Sequence, residues 1–441
     1  MATVSKRLIS VSAATAVGLG AIIGAGIFVL SGSAIALAGS DALIAFVFVG
    51  FVAVLIALEL GELGSIMPNV EGASYSYVYN AFGSELGFIT GIILYLSSAI
   101  AISAISLGFG SYLANLLGLS SSYQIFLAIM LIILLAVLNM MGIKKAVNAD
   151  FALVIIKIAA LLAFVAFALY FAFGIAHFNP SNFGVDPAQS GIEPIAAASV
   201  VIFFAYSGFQ TISTLTSKIN GGANAAAKAI LLSVVLSLVI YVAIIVSLLL
   251  IVPSSAYSIS SADPIAIALD ASSAPYLLEL AVGIGALIAT ASASLAMFLR
   301  SSRIIYQLGR DGLMPKLLAR YDVKRDISPN AVLVTAVVAV LALFSGNVYI
   351  IASISVFGVL FTYLMSSLAL VHFRRIKKAG SFKSPFYPYL PIAAIIFVLA
   401  FMYGLPKQSL LIGTITTIAL ILVYYFLSEY ERKKIIKIRL F

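Results

Sequence analysis

What most limits the folds open to this chain is the recurrence, along nearly its whole length, of apolar stretches of 18 or more residues with few or no charges. Each is long enough to cross a ~30 Å hydrocarbon core as a helix. Lipid satisfies no backbone N–H or C=O, so a spanning segment has to be a helix or part of a closed barrel, and nothing here alternates as barrel strands do. Twelve spans are read, at about 11–37, 41–66, 84–116, 122–142, 147–176, 193–216, 225–252, 273–299, 329–345, 347–372, 386–405 and 409–429. The expected class is an all-α integral membrane protein with twelve transmembrane helices. Composition agrees, since 9% of the 441 residues are charged against roughly 25% in a soluble domain. Ala36-Leu37-Ala38 resembles a signal-peptidase site, but the apolar run before it outlasts a signal h-region, so the first span is expected to stay. The chain has no cysteine, which excludes disulfides, thiolate metal sites and cysteine nucleophiles.

Charge placement orients the spans. With twelve crossings both termini lie on one side, and Lys6, Arg7, Lys144, Lys145, Lys218 and Lys228 fall there. The basic residues from Arg300 to Arg325, from Arg374 to Lys383 and from Arg432 to Arg439 join them. Lys407 falls opposite, and Lys157 falls inside a span. Both termini are therefore expected to be cytoplasmic and the protein to sit in the cell membrane as a multi-pass protein. The net charge of +9 then reflects residues that face anionic headgroups, so the partners expected are the lipid bilayer and a small substrate, with no nucleic acid.

Two spans carry an internal weakness. "GLGAIIGAGIF" (18–28) places four glycines in the first span, each weakening a helix by roughly 1 kcal/mol, and five spans later "FFAYSGFQTIS" (203–213) interrupts the sixth. Interrupted segments at matching positions point to an inverted repeat of five spans with the binding site at its interface. The expected division is 1–180 for the first repeat, 181–380 for the second, and 381–441 for two added spans and a basic tail. Freed N–H groups around Gly24, Ala25 and Gly26 would hold a carboxylate with the help of the helix dipole. Freed carbonyls near Ile22, Phe204, Ala205 and Ser207 would take an ammonium, with Ile23, Tyr206 and Gly208 completing the two breaks. A zwitterionic α-amino acid offers both groups together. The competing reading is that these glycines serve helix packing, as Gly20-x-x-x-Gly24 suggests.

The same residues carry a resemblance. "GLGAIIGAGIFVLSG", "FFAYSGF", "PNVEGASYSYVYNAFG" (68–83) and "GRDGLMP" (309–315) are similar, in order, to signatures of the amino acid, polyamine and organocation transporter superfamily, especially its cationic amino acid transporter-like branch. The resemblance implies a 5+5 inverted-repeat, LeuT-like fold with alternating access, a substrate held by the unwound parts of spans one and six, and no cofactor. Gln210 stands where the family usually has an acid, and Lys218 reverses the charge expected after span six.

Lys157 lies about ten residues inside span five, ~15 Å deep. An ammonium there costs several kcal/mol unless it finds partners or gives up its proton, so it is expected to exchange protons during transport. Snorkelling to the headgroups is the alternative. In family members with a lysine in this position the ammonium occupies the place of a sodium ion. That resemblance implies as its partners a carbonyl near Gly20 or Ala21 and a hydroxyl among Thr290, Ser292 and Ser294, with Ser292 taken into the proton-coupling set.

The remaining charged groups read more plainly. Glu59 and Glu62 share a face of span two; they read either as proton carriers or as partners of basic loops such as Arg300 to Arg310, and are left out of the site. Glu193 and Glu279 lie near span ends, His177 and His372 have no partner at metal-binding spacing, and Tyr75, Tyr77 and Tyr79 read as an interfacial belt. Spans three, eight and ten hold no midplane acid to receive a distal cation, whereas span three offers "SSAIAISAIS" (97–106). Neutral, small to medium amino acids are therefore expected over cationic ones. A proton-coupled secondary carrier fits best. An exchanger, a cationic amino acid or polyamine carrier and a membrane sensor remain alternatives, while a channel lacks filter rings and an enzyme lacks a nucleophile–base pair.

Overall fold

Long runs of Ala, Leu, Ile and Val with few helix breakers form the helices, and their ends fall where polar or glycine residues interrupt the apolar pattern. The computed structural model describes residues 9–67, 74–141, 150–175, 179–184, 189–209, 212, 219–325, 327–378 and 380–439. The elements are α1 (Val11–Ile22), α2 (Ala25–Ala38), α3 (Ala42–Ile66), α4 (Ser74–Phe82), α5 (Ser84–Leu116), α6 (Gln124–Met140), α7 (Asp150–Tyr170) and α8 (Ile192–Tyr206). They continue with α9 (Gly222–Ile251), α10 (Pro264–Ala271), α11 (Tyr276–Arg310), α12 (Pro329–Ala342), α13 (Val348–Arg375), α14 (Tyr389–Tyr403) and α15 (Lys407–Arg439). The architecture is all-helical, and no strand forms among the described residues. Lys6, Arg7, Lys144, Lys145, His177, Gln210 and Lys218 lie outside the described residues.

Each of the twelve ranges read from the sequence holds helix. Eight segments are long and apolar enough on their own to cross a bilayer, and four apolar helices are shorter: Val11–Ile22, Ile192–Tyr206, Pro329–Ala342 and Tyr389–Tyr403. Two of those four end at the interruptions in the first and sixth spans. The helix of the sixth range runs to Tyr206 and residue 212 is again helical, with 210, 211 and 213–218 outside the described residues, and the eighth runs on to Arg310, beyond the expected 299.

The burial pattern is that of a protein whose outer solvent is hydrocarbon. Phe126, Ile133 and Leu134 of α6 and Leu333, Val337 and Leu341 of α12 face outward, while serines turn inward. Ser97 of α5 and Ser355 of α13 donate to each other's backbone carbonyls at 2.7 and 2.9 Å, and Ser103 donates to Ala339 O at 2.5 Å. Such bonds hold helices together where lipid supplies no hydrophobic drive between them. α5, packed against α6, α11 and α13, forms the central post.

The short amphipathic α4 corrects one expectation. Tyr75 and Tyr77 are buried, not in an interfacial belt, because α4 lies across α5 and α13, where Tyr75 Oη donates to Asp311 Oδ2 at 2.8 Å. Tyr79 alone of the three is exposed.

Candidate functional site

The first span is cut in two. Ile23 leaves helical geometry at φ −74°, ψ 71°, and Gly24 follows at φ −109°, ψ −143° before α2 begins at Ala25. The Gly24 N–H turns back to Ile22 O at 2.7 Å. No side chain caps α2, so its first-turn amides, including those of Ala25 and Gly26, are the donors that a helix start leaves for a ligand.

The sixth span loosens differently. After Tyr206 the chain tightens into turns closed by Ser207 N–H to Phe204 O at 3.2 Å and Phe209 N–H to Tyr206 O at 3.4 Å. Ser207 Oγ also donates to Phe204 O at 2.8 Å.

Glycines bring the two interruptions together. A Cβ on Gly26 would sit 2.3 Å from Ala205 Cα, and one on Gly208 would sit 2.1 Å from the Ala21 carbonyl oxygen. Both are backbone collisions, so only glycine permits this approach. Gly18 and Gly20 instead meet the side chains of Ile212 and Val154, while Gly24 has Ala293 Cβ at 3.1 Å. The glycines of the first span thus divide their work: Gly18 and Gly20 pack, Gly24 makes the turn, and Gly26 seats the sixth span.

A residue the sequence reading passed over ties both interruptions. Tyr241 Oη of α9, fully buried, donates to Ile22 O at 2.7 Å and to Ala205 O at 3.1 Å, one proton shared between two carbonyls. Ile22 O already receives the Gly24 amide and Phe204 O two donors from Ser207, so their lone pairs are largely committed and the freedom expected for these two carbonyls is reduced. Tyr206 packs its ring edge-on to Tyr241 at 5.2 Å, with its hydroxyl near Gly50 and without a hydrogen-bond partner among the described residues.

Lys157, on α7, is 2% exposed. Its Nζ donates to Gly20 O at 3.2 Å and to Ser292 Oγ at 3.1 Å, so it joins α7 to the inner half of the first span and to α11. Ser292 Oγ in turn donates to Ala289 O at 3.1 Å. Thr290 is spent on the carbonyls of its own helix.

Glu62 pairs with a basic segment, as one of its two readings expects, though not with the one given as the example. Its carboxylate pairs with Arg374 at the end of α13, Nε to Oε1 at 2.6 Å and Nη2 to Oε2 at 2.9 Å, and accepts from the Ser384 amide at 2.8 Å and hydroxyl at 2.5 Å. The loop after α13, not Arg300 to Arg310, thus clasps the C-terminal end of α3. Glu59 accepts from Ser367 Oγ at 2.5 Å. Glu193 is exposed in the first turn of α8, Glu279 is half-buried in that of α11, and His372 sits by Phe82 with ring centroids 5.5 Å apart. No group of three His, Cys, Asp or Glu converges among the described residues.

Comparison with known proteins bears on what this arrangement serves. A family model described as Amino acid permease matches residues 14–434. The chain belongs to the amino acid permease family. The permease is 27% identical over 446 residues to a methylthioribose transporter of Bacillus subtilis, covering 96% of this chain and 94% of that one. It is 29% identical over 447 residues to the branched-chain amino acid permease BcaP of Lactococcus lactis, covering 95% and 94%, and 26% identical over 442 to a chloroplastic cationic amino acid transporter of Arabidopsis thaliana, covering 92% and 74%. A crystal structure of a manganese transporter from Eremococcus coleocola superposes with a TM-score of 0.62 at 15% identity, over 100% of this chain and 97% of that one. At that identity the likeness shows a shared fold. The permease thus belongs to a family of membrane transporters.

Proposed function

We propose that the permease is a secondary active carrier that moves a neutral, small to medium amino acid across the cell membrane by alternating access, coupled to protons. Twelve crossings, with both termini cytoplasmic, would form two inverted five-span repeats (1–180 and 181–380), with 381–441 added outside them. The substrate carboxylate would lie on the uncapped start of α2 at Gly24, Ala25 and Gly26. Its amine would lie against carbonyls of the sixth-span interruption, from Ala205 to Gly208. The observation that carries this reading is the contact of two interrupted helices through Gly26 and Gly208, which sets peptide donors and acceptors side by side in a membrane interior where they are otherwise costly.

Lys157 supports proton coupling because a neutral carbonyl and a hydroxyl hold its amine in either protonation state, while the ammonium binds them more strongly. Loss of the proton would loosen α7 from the first span and from α11. The relatives that carry branched-chain amino acids agree with an apolar substrate side chain. The test is uptake in proteoliposomes, with and without an inward proton gradient, of labelled leucine, alanine and arginine. Saturable leucine or alanine uptake that rises with the gradient is expected. A strong preference for arginine, or flux that ignores the gradient, contradicts the substrate or the coupling part respectively.

A further inference from the structure

Glu59 is a buried carboxyl group without a cation. It is 1% exposed on α3, and one of its oxygens, Oε2, accepts from Ser367 Oγ of α13 at 2.5 Å. The other, Oε1, is sealed from solvent and has no hydrogen-bond partner among the described residues. The ion pairs among those residues are Arg325–Asp322 and Arg374–Glu62, and neither includes it. Three positions on, Glu62 shows what an ionised carboxylate takes at this end of α3: a guanidinium, an amide and a hydroxyl. Glu59 has one neutral donor.

The other titratable groups on the segments packed against α3 do not supply the missing charge. Glu193, Lys228, Arg375, Lys377, Lys378, Lys383, Tyr389 and Tyr403 are exposed, and His372 packs against Phe82. Asp41 and Tyr349 lie at the far ends of α3 and α13, and Tyr206 and Tyr241 lie beside the interruptions. What remains nearby is Glu62, with Arg374 spent on it, and Tyr363, one helical turn before Ser367.

An ionised carboxylate with a single neutral donor is costly in a low-dielectric interior, whereas the neutral acid fits the same contact. A serine hydroxyl both donates and accepts, so an acid proton on Oε2 can be given to Ser367 Oγ. The serine proton then has a carbonyl of its own helix to turn to, as that of the adjacent Ser366 turns to Thr362 O at 2.9 Å. We propose that Glu59 is a proton-binding site, filled while α3 and α13 are together, whose proton passes to water admitted when the two helices part. Opening of this contact and release of the proton are then one event. The contact is linked to the interrupted sixth span, because the Tyr363 ring stacks on Phe209 with centroids 5.7 Å apart and Phe209 directly follows Gly208. Its use in transport rests on the reading of the permease as an amino acid carrier: Glu59 sets how readily this contact opens, while Lys157 supplies the coupling.

The bound proton is tested on the purified permease by infrared difference spectroscopy at neutral pH, wild type against Glu59→Gln. The wild type is expected to show one protonated-carboxyl C=O band more than the variant, and identical spectra in that region overturn the site. Glu59→Gln keeps the shape and stays neutral. It is expected to melt with the wild type at about pH 6 and above it at about pH 9, because a proton held more tightly in the folded state than in the unfolded one adds stability that is lost as pH rises. A variant that melts below the wild type at both pH values overturns the proposal, since the ionised form is then the one held. Should Glu59→Gln fail to fold, Ser367→Ala decides: the band is expected to move to higher frequency on losing its hydrogen bond, and an unmoved band overturns the site.

The role in transport is tested by leucine exchange in proteoliposomes at equal pH on both faces, where no proton driving force acts. The wild-type rate is expected to rise about tenfold from roughly pH 6 to pH 8, and that of Glu59→Gln to change about twofold or less. The same rise in both overturns the role of Glu59 in opening and leaves the carrier reading intact. A wild-type permease that exchanges no leucine overturns the carrier reading and this role with it, and the infrared band decides the proton site by itself.

Discussion

Lys157 and Arg374 are both cations largely withdrawn from water, yet they are held in opposite ways. Arg374 faces the Glu62 carboxylate through two contacts, 2.6 and 2.9 Å, and the same carboxylate takes the Ser384 amide and hydroxyl. Lys157 donates to a peptide carbonyl and a serine hydroxyl at 3.2 and 3.1 Å. A guanidinium does not give up its proton in a protein, whereas a buried lysine can. The first arrangement therefore has a single state and fastens α3 to the loop after α13. The second, on the reading proposed above, would have two states that differ in how firmly α7 grips the first span. A buried charge by itself is no sign of function; what its partners tolerate decides whether it clasps or switches.

That contrast is open to direct attack, beginning with the clasp. Glu62→Gln leaves a guanidinium and a serine amide facing a neutral group, and breaking a buried pair this way is expected to cost about 3–5 kcal/mol. A large fall in melting temperature in detergent, with the pH profile of whatever transport survives unchanged, agrees; a shifted pH profile at unchanged melting temperature inverts the two roles. Lys157→Ala is expected to destabilise less, because it removes the charge together with its need for partners, and to leave leucine binding in place while abolishing the dependence of uptake on the proton gradient. Retained gradient dependence in that variant removes the switch.

Tyr241→Phe tests whether the interruptions need their common donor. Loss of one shared hydroxyl is expected to weaken leucine half-saturation about threefold to tenfold, read by uptake kinetics, with pH dependence preserved. Ser292→Ala removes one acceptor from Lys157 and is expected to give the smallest effect, about 1 kcal/mol or less. It should appear as a shift in the pH midpoint of uptake and not in its maximal rate. A change in maximal rate alone would mean that Ser292 serves packing.

The helices were legible because a ~30 Å apolar core imposes length and composition on every crossing, and the interruptions because glycine inside such a run is costly. Which glycine does what was not legible. Gly18, Gly20, Gly24 and Gly26 look alike in sequence and differ only in what lies opposite, a side chain for the first two and the Ala205 backbone for the last. Tyr241 gave no signal either, since a tyrosine in "LVIYVAII" reads as one more apolar ring until its hydroxyl is seen between two carbonyls contributed by distant segments. The Glu62–Arg374 pair joins positions 312 residues apart, and charge counting had no means of choosing among several basic segments. Tyr75 and Tyr77 were misread for a related reason: their helix is amphipathic, but its apolar side meets α5 and α13 where lipid headgroups were expected.

The central claim is that two interrupted helices grip both ends of a zwitterion. Binding to the purified permease, followed by ligand-induced thermal stabilisation, tests it with leucine, leucine methyl ester and 4-methylpentanoate, three molecules that share a side chain and differ in which charged ends they keep. The account predicts stabilisation by leucine and none by either single-ended compound at the same concentration. Equal stabilisation by the ester or by the acid would contradict it.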